Sequence, residues 1–218
     1  MLQLQGLEFA WKVGAGDSPA LRFADLAAAQ GDRVLLRGPS GSGKSTLLAL
    51  IAGLLTPRAG RVVVAGTDVG ALPRGERDAW RGRTLGFVPQ RLHLSESLSV
   101  AENVGLPFIA GGAPVDAPRI AALLERLGLA GLRGRRPHEL SVGQAQRVAL
   151  ARALVRAPRV LLADEPTAHL DDPMSSAVIG LLDEAARDNG ATLLIATHDA
   201  RVAARLPSAR TLELQPCA

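Results

Sequence analysis

One stretch decides the fold of this 218-residue chain: Gly38-Pro39-Ser40-Gly41-Ser42-Gly43-Lys44-Ser45-Thr46. It lies between an apolar run at residues 33–36 and a helix-forming run at residues 46–55. Its glycines let the backbone bend so that successive N–H groups converge, and the N-terminus of the following helix adds a partial positive charge. The stretch therefore fits the P-loop pattern, in which a strand, a glycine-rich loop and a helix cradle phosphate.

Lys44 and Ser45 give this loop its chemistry. Lys44 would reach the β- and γ-phosphates of a nucleotide, and the Ser45 hydroxyl would ligate Mg²⁺. The only other lysine is Lys12, so a chain that otherwise uses arginine has a lysine where a compact ammonium fits the cradle. A glycine-rich turn that caps an ordinary helix is the alternative, and the full spacing of the motif argues against it.

Two adjacent acids, Asp164 and Glu165, follow the apolar run at residues 160–163, as in a Walker B segment beside the P-loop strand. Because adjacent residues on a strand point to opposite sides, the two carboxylates can take different tasks. We expect Asp164 to belong to the Mg²⁺ shell and Glu165 to orient and deprotonate an attacking water. The alternative is that both acids cap the turn at Pro166-Thr167.

The order of the segments predicts an α/β fold. Three short apolar runs indicate buried parallel strands, at residues 33–36, 160–163 and 192–197. All three lead directly into polar motifs, and the carboxyl ends of such strands are where a ligand binds. We therefore expect a P-loop NTPase core of the RecA-like type.

The remaining segments predict additions to this core. Residues 2–5 and 61–65 indicate a smaller antiparallel side sheet. Residues 91–158 are helical in pattern, with helices at 117–127 and 142–156. We expect one domain over residues 1–218, in which residues 1–90 and 159–218 form the core with its side sheet and residues 91–158 form an inserted helical subdomain.

The composition argues against several classes of protein. No apolar stretch approaches a bilayer-spanning length, and residues 1–10 do not resemble a signal peptide, so we expect a cytoplasmic chain. Cys217 is the only cysteine, which leaves no partner for a disulfide or a metal site. The net charge of +4 comes mostly from scattered arginines, with one dense run at Arg133, Arg135 and Arg136, and we expect no nucleic-acid partner.

A further motif is needed, because kinases, GTPases and helicases share a P-loop and an acidic strand. Leu140-Ser141-Val142-Gly143-Gln144 resembles the signature motif of the ABC transporter ATPases, and residues 145–154 are similar to the helix that follows it in that family. Ser141 is a favourable N-cap, and the N-terminus of its helix would attract an anion. Val142 departs from the pattern, since glycine is common there, and its branched side chain narrows the approach of phosphate.

This resemblance implies an ATP-sandwich dimer. In the family the signature faces the nucleotide held by the partner, so Ser141, Gly143 and Gln144 would bind ATP from the opposing subunit. Ala168-His169-Leu170-Asp171 resembles the D-loop, and its Asp171 would also act across the dimer. We assign no role to His93 or to His169.

Three more positions match the family. Gln90 follows the strand-like residues 85–88 and resembles the Q-loop glutamine, which senses Mg²⁺ and water. His198 follows residues 192–197 and is similar to the switch histidine, which contacts the γ-phosphate. Trp11 stands where the family has an aromatic residue that stacks on adenine, and a buried core aromatic is the alternative.

The resemblance also implies a partner and a function. ATP would close the dimer, Glu165 and His198 would support the attack of water on the γ-phosphate, and closure would drive a separate integral membrane permease. The chain would then lie on the cytoplasmic face of the inner (plasma) membrane, with residues 91–107 as the candidate docking surface. No regulatory extension is expected after the switch region.

Two segments look similar to the lipoprotein-releasing and macrolide-export subfamily, Leu85-Gly86-Phe87-Val88-Pro89-Gln90 and Ala101-Glu102-Asn103-Val104-Gly105-Leu106-Pro107. An ATPase of an amino-acid importer is an alternative, because it shares most of these motifs. An ABC-type ATPase of DNA handling would need coiled-coil or zinc insertions that the sequence does not contain. A P-loop kinase of small metabolites fits the signature poorly.

Overall fold

The computed structural model describes residues 1–13, 16–168 and 170–215. Five of the strands form a parallel sheet: β6 (Arg33–Arg37), β9 (Leu85–Val88), β10 (Val160–Asp164), β11 (Thr192–Ala196) and β12 (Arg210–Glu213). Their order in the sheet is β12-β6-β11-β10-β9, and every neighbouring pair is parallel. The predicted parallel strands are confirmed, β9 matches the strand-like residues 85–88 at one edge, and β12 is added at the other.

Both faces of this sheet are covered by apolar side chains. On β10, Leu161 and Ala163 belong to one buried cluster, whereas Val160 and Leu162 belong to the other. The strands β6 and β11 divide between the two clusters in the same alternating way. A sheet buried on both faces explains why these strands are continuous apolar runs in the sequence.

The antiparallel side sheet is also confirmed. Its strands are β1 (Leu2–Phe9), β4 (Leu21–Arg22), β5 (Leu26–Ala28), β7 (Ala59–Val64) and β8 (Thr67–Asp68). Strand β1 pairs with β4, β5 and β7, and an irregularity between Gln5 and Glu8 lets it continue to Phe9, beyond the predicted end at residue 5. A separate pair, β2 (Lys12–Val13) and β3 (Gly16–Asp17), precedes β4.

The described part of the chain also contains seven α-helices: α1 (Lys44–Ile51), α2 (Arg74–Thr84), α3 (Val100–Ala110), α4 (Ala117–Arg126), α5 (Val142–Leu154), α6 (Asp172–Asp188) and α7 (Ala200–Arg205). Two short 3-10 helices, Ala130–Leu132 and Pro137–Glu139, lie between α4 and α5. The buried cluster on one sheet face includes side chains of α3, α4, α5 and α6. The cluster on the other face includes side chains of α1 and of the antiparallel sheet. Among the described helices, none combines the length and apolar character that crossing a bilayer requires.

Helix α1 differs from its predicted range of residues 46–55. It begins at Lys44, directly after the N-cap Gly43, and ends at Ile51. Gly53 has a φ of +66°, a left-handed conformation that commonly ends helices and that glycine adopts without strain. A Cβ at this position would also lie 2.8 Å from a methyl carbon of Val69. The prediction extended the helix through a glycine that in fact stops it.

Candidate active site

The P-loop, at residues 38–43, connects β6 to α1. Gly43 has a φ of +87°, and a Cβ there would lie 3.3 Å from the ring of Phe23. The side chain of Lys44 is buried, and its Nζ donates hydrogen bonds to the carbonyl oxygens of Gly38, at 2.9 Å, and Pro39, at 3.0 Å. The loop therefore curls around the ammonium group of the first residue of its own helix.

Asp164 and Glu165 are placed differently from our expectation. Asp164 is the last residue of β10, but Glu165 lies outside the strand with a φ of +44°. Its amide donates to the carbonyl oxygen of Ala196, at 2.8 Å. The two carboxylates separate because the chain turns sharply after Asp164, and strand alternation is not the reason.

Asp164 has the surroundings of a cation ligand. It is buried, and its Oδ1 has no hydrogen-bond partner among the described residues. Burial raises the pKa of this carboxyl group, although a hydrogen bond with the Ser45 side chain opposes the shift. A buried carboxylate with a free oxygen beside a hydroxyl is the type of oxygen donor set that Mg²⁺ prefers, so these residues fit that ion.

Glu165, His198 and Lys44 form a second polar group. The Nδ1 of His198 lies 2.8 Å from Oε1 of Glu165, and the His198 amide donates to Oε2 at 3.4 Å. The Nζ of Lys44 lies 3.7 Å from the same Oε1. The carboxylate is almost fully buried, whereas the imidazole is 71% exposed. A ligand that enters from solvent can therefore reach His198 first, with Glu165 directly behind it.

These groups line one open cavity of about 650 Å³. Its lining contains most of the predicted nucleotide-binding and catalytic residues: Trp11, Pro39, Ser40, Gly41, Gly43, Lys44, Ser45, Thr46, Gln90, Glu165 and His198. The other predicted residues of the P-loop and of β10 are Gly38, Ser42 and Asp164, which are at most partly exposed. The fold thus brings these predicted residues together from five separate segments of the chain.

The cavity has an apolar end at Trp11. This side chain is 48% exposed and packs edge-on against Phe9, with ring centroids 4.9 Å apart, so it is not a buried core aromatic. Ser18, Pro19 and Leu21 also line the cavity, and sequence reasoning missed them. No motif marks these three residues. Leu21 reaches the cavity because β4 pairs with β1 opposite Phe9.

The signature residues lie elsewhere. Ser141 caps α5 by accepting a hydrogen bond from the Gln144 amide at 3.3 Å, and Gln144 Oε1 accepts from the Ser141 amide at 2.9 Å. Val142 is 68% exposed beside them, and Gly143 is buried against the side chain of Met174. The residues assigned to the opposing subunit do not line the cavity of their own chain: Ser141, Gly143, Gln144 and Asp171.

Asp171 and Asp199 begin the two helices that follow the acidic and switch segments. Asp171 is the exposed N-cap of α6 and accepts from the Met174 amide at 2.9 Å. Asp199 caps α7 and also accepts hydrogen bonds from Thr167 Oγ1 and from the guanidinium of Arg201. These bonds with Arg201 hold the pKa of Asp199 well below its usual range. Sequence reasoning missed this group, because a side-chain network has no motif.

Comparison with known proteins identifies the relatives of this chain. The ABC transporter family model matches residues 21–168. The chain is 46% identical over 207 residues to the lipoprotein-releasing system ATP-binding protein LolD of Anaeromyxobacter dehalogenans, covering 94% of this chain and 87% of that protein. It is 44% identical over 216 residues to the macrolide export ATP-binding/permease protein MacB of Rhodopseudomonas palustris, covering 98% of this chain and 33% of that protein. The chain thus spans about a third of the macrolide-export relative.

A solved structure of an ATP-binding cassette is also similar to this chain. A dimeric ATP-binding cassette in a post-hydrolysis state, bound to ADP and Pi, superposes with a TM-score of 0.87 at 33% identity, covering 98% of this chain and 94% of that chain. The similarity therefore extends over the parallel sheet, the side sheet and the helices between β9 and β10. With its P-loop, acidic strand end and signature helix in the described arrangement, the chain belongs to the ABC transporter family.

Proposed function

We propose that this chain is the ATP-binding and ATP-hydrolysing subunit of an ABC transporter of the lipoprotein-release or export type. The observation that carries the proposal is the convergence of Lys44, Glu165 and His198 on one cavity beside the P-loop. The names of the relatives, which describe lipoprotein release and macrolide export, support this type over amino-acid import.

The two ends of the cavity suit the two ends of ATP. The P-loop amides and the N-terminus of α1 would hold the phosphates, in the segment from Gly38 to Thr46. Trp11 would stack on adenine, since its ring is exposed at the cavity's apolar end. Lys44 would exchange its hydrogen bonds to loop carbonyls for the β- and γ-phosphates, which needs only a small movement of a flexible ammonium.

Glu165 is our candidate general base. Its carboxylate would accept a proton as water attacks the γ-phosphorus, and the bond to the β–γ bridging oxygen would break to give ADP and phosphate. His198 would orient the Glu165 carboxylate through the existing 2.8 Å contact and would face the γ-phosphate with its exposed edge. Hydrolysis therefore depends on keeping this pair in position.

Ser45, Asp164 and Gln90 would hold Mg²⁺. Ser45 and Asp164 already form a hydrogen-bonded pair, and Gln90 lines the cavity from the segment after β9. The ion would neutralise charge on the phosphate oxygens. Its positive charge would also offset the cost of burying the Asp164 carboxylate.

We also propose that the active form is a dimer. Ser141, Gly143 and Gln144 would complete the partner's ATP site, with Asp171 beside them, because they lie outside the cavity of their own chain. The N-terminus of α5 would present its partial positive charge to the γ-phosphate held opposite. The dimeric state of the similar solved cassette supports this arrangement.

An integral membrane permease would be the partner that uses the energy, and the chain would sit at the cytoplasmic face of the inner membrane. Residues 91–107 remain the proposed docking surface, in the inserted helical subdomain at 91–158. This segment follows Gln90, so a change at the ATP site can reach it directly along the chain.

Glu165→Gln tests the proposal. The amide keeps the size of the side chain but cannot accept the proton, so we expect hydrolysis to fall by about 10²–10⁴-fold, with ATP trapped in a stable dimer. Turnover and size-exclusion elution are measured with Mg²⁺ and ATP, beside the parent chain and Glu125→Gln, an exposed control on α4. A Glu165→Gln chain that stays monomeric and hydrolyses ATP like the parent would refute the assignment.

A further inference from the structure

We infer that Arg201 is a positioning residue that ties the switch segment after β11 to the N-terminus of α6, and so holds the Glu165–His198 pair in place for hydrolysis. The inference rests on the proposed function and adds residues that no motif of the family marks in this sequence. It concerns the group formed by Thr167, Asp172, Asp199 and Arg201, which we call the switch clamp.

Asp199 is the centre of the switch clamp. Its carboxylate accepts from Nε of Arg201 at 2.9 Å, from Nη2 of Arg201 at 2.7 Å and from Oγ1 of Thr167 at 2.8 Å. It follows His198 directly in the chain, and Thr167 lies two residues after Glu165. One carboxylate therefore joins the backbone segment of the imidazole to the turn that carries the proposed base.

Arg201 extends this connection to a third segment. While Nε and Nη2 contact Asp199, Nη1 donates to Oδ1 of Asp172, the first residue of α6. Asp172 adjoins Asp171, which we assign to the dimer interface. A planar guanidinium can bridge two carboxylates in a fixed geometry, whereas the single ammonium of lysine cannot hold both in the same way.

The charges show why the bridge matters. Asp199 is 15% exposed and Asp172 is 83% exposed, so the pair with Asp199 is the better shielded one. Without Arg201, two carboxylates of like charge would remain at the start of neighbouring helices, and a partly buried Asp199 would lose its cation. Thr167 would then be the one remaining member of the switch clamp that joins the segment from His198 to Asp199 to the turn after β10.

The same path continues to the signature. Met174, in the first turn of α6, lies against Gly143 at the start of α5. A displacement of the N-terminus of α6 would therefore also displace the N-terminus of α5, which we propose to contact the nucleotide held by the partner subunit. The switch clamp links the base of one site to the residues that complete the other.

Arg201→Gln and Arg205→Gln are the matched variants for the test. Arg205 also connects α7 to α6, through Ser176 Oγ at 2.8 Å, but the described structure shows no contact between it and the switch clamp. In the full chain we expect Arg201→Gln to lower kcat for ATP hydrolysis by about 10-fold or more, because small misplacements of catalytic groups are costly, with KM for ATP within about 2-fold. Arg205→Gln should keep the parent kcat, and Arg201→Lys should recover only part of the loss.

A double-mutant cycle separates the bridge from a local effect on Asp199. If the bridge acts through α6, Asp172→Asn also lowers kcat, and Arg201→Gln/Asp172→Asn is no slower than Arg201→Gln alone. A normal kcat in Asp172→Asn would refute the link to α6. A kcat of Arg201→Gln equal to that of Arg205→Gln would refute the whole inference.

Hydrogen exchange of the nucleotide-free chains gives a readout that does not depend on turnover. Arg201→Gln should speed exchange in peptides covering residues 165–175 and 197–201, and Arg205→Gln should leave exchange at 197–199 unchanged. Unchanged exchange in Arg201→Gln would refute the connection that we assign to Arg201 between the switch segment and α6. A parent chain that neither binds nor hydrolyses ATP would instead refute the proposed function, and the catalytic part of this inference with it.

Discussion

Glu165 shows how much a single residue contributes to this site. Its φ of +44° lies in the left-handed region, which costs free energy for a residue with a Cβ, and such strain is concentrated at functional sites. The conformation turns the carboxylate away from β10, toward His198 and Lys44. Asp164, one residue earlier, stays in the strand beside Ser45. This separation would let the two adjacent acids take the proposed roles toward water and cation.

Asp199 permits a residue-scale prediction about pH. Its pKa in the folded chain is lowered by Arg201, whereas in the unfolded chain it returns to about 3.9. Between these two values the unfolded chain binds more protons, so the stabilisation by Asp199 is complete above about pH 5 and is lost as the pH falls below about 4. Asp199→Asn removes this charge at every pH.

We therefore expect Asp199→Asn to lower the free energy of unfolding by about 1 kcal/mol at pH 7, a modest value because Arg201 is partly exposed. The difference between parent and variant should shrink as the pH approaches 3. Urea unfolding of both chains between pH 3 and pH 8 measures it. A difference that stays constant down to pH 3 would contradict the role of the charge.

At the scale of elements, local chemistry sets the limits of the helices. Ser99 and Glu102 form a reciprocal capping box at the start of α3, and Ser141 and Gln144 do the same for α5. Helix α1 instead begins at Gly43 without a side-chain cap, which leaves its first amides available to a ligand. Helix α1 therefore offers uncapped backbone amides beside the proposed phosphate site.

Two glycines give opposite predictions for the same substitution. Gly53→Ala puts a Cβ at a φ of +66° and 2.8 Å from Val69, so we expect a loss of about 1–3 kcal/mol in stability. Gly180→Ala, on the exposed side of α6 with nothing within 4 Å of the added Cβ, should gain about 0.5–1 kcal/mol. Thermal or urea unfolding of the two variants compares them, and a neutral Gly53→Ala would show that α1 can end without a left-handed residue.

At the scale of the whole molecule, no residue of the signature motif lines the described cavity. The cavity is lined from the P-loop side, and the N-terminus of α5 belongs to a different part of the surface. In a symmetric dimer, one such surface on each chain can complete the cavity of the other. The two halves of a site would then be separable by mutation.

Mixing two inactive variants tests this separation. Lys44→Ala removes the phosphate-binding side of a chain, and Ser141→Arg blocks its signature side. Each variant alone should lose nearly all turnover, but a mixture should recover activity, because one of the two sites in the mixed dimer pairs an intact P-loop with an intact signature. At equal concentrations, half of the dimers are mixed. Activity that stays at the level of the single variants would indicate that each site is formed within one chain.

The sequence by itself determined the features that depend on local backbone chemistry. The P-loop, the acidic strand end and the capped signature helix are each encoded within about ten consecutive residues, where spacing fixes geometry. The parallel strands were predictable as well, because burial on both faces leaves continuous apolar runs. The convergence of the candidate site residues Lys44, Glu165 and His198 followed from these elements, since the carboxyl ends of parallel strands meet at one edge of the sheet.

Tertiary structure alone decided the features that join distant segments. The left-handed turn at Glu165, the approach of Leu21 to the cavity and the bridge from Arg201 to Asp172 depend on contacts across separate elements. Single side chains of this kind carry no periodic signal. A salt bridge between two helices is fixed only when packing of the core has brought the helices together, so no local pattern can reveal it.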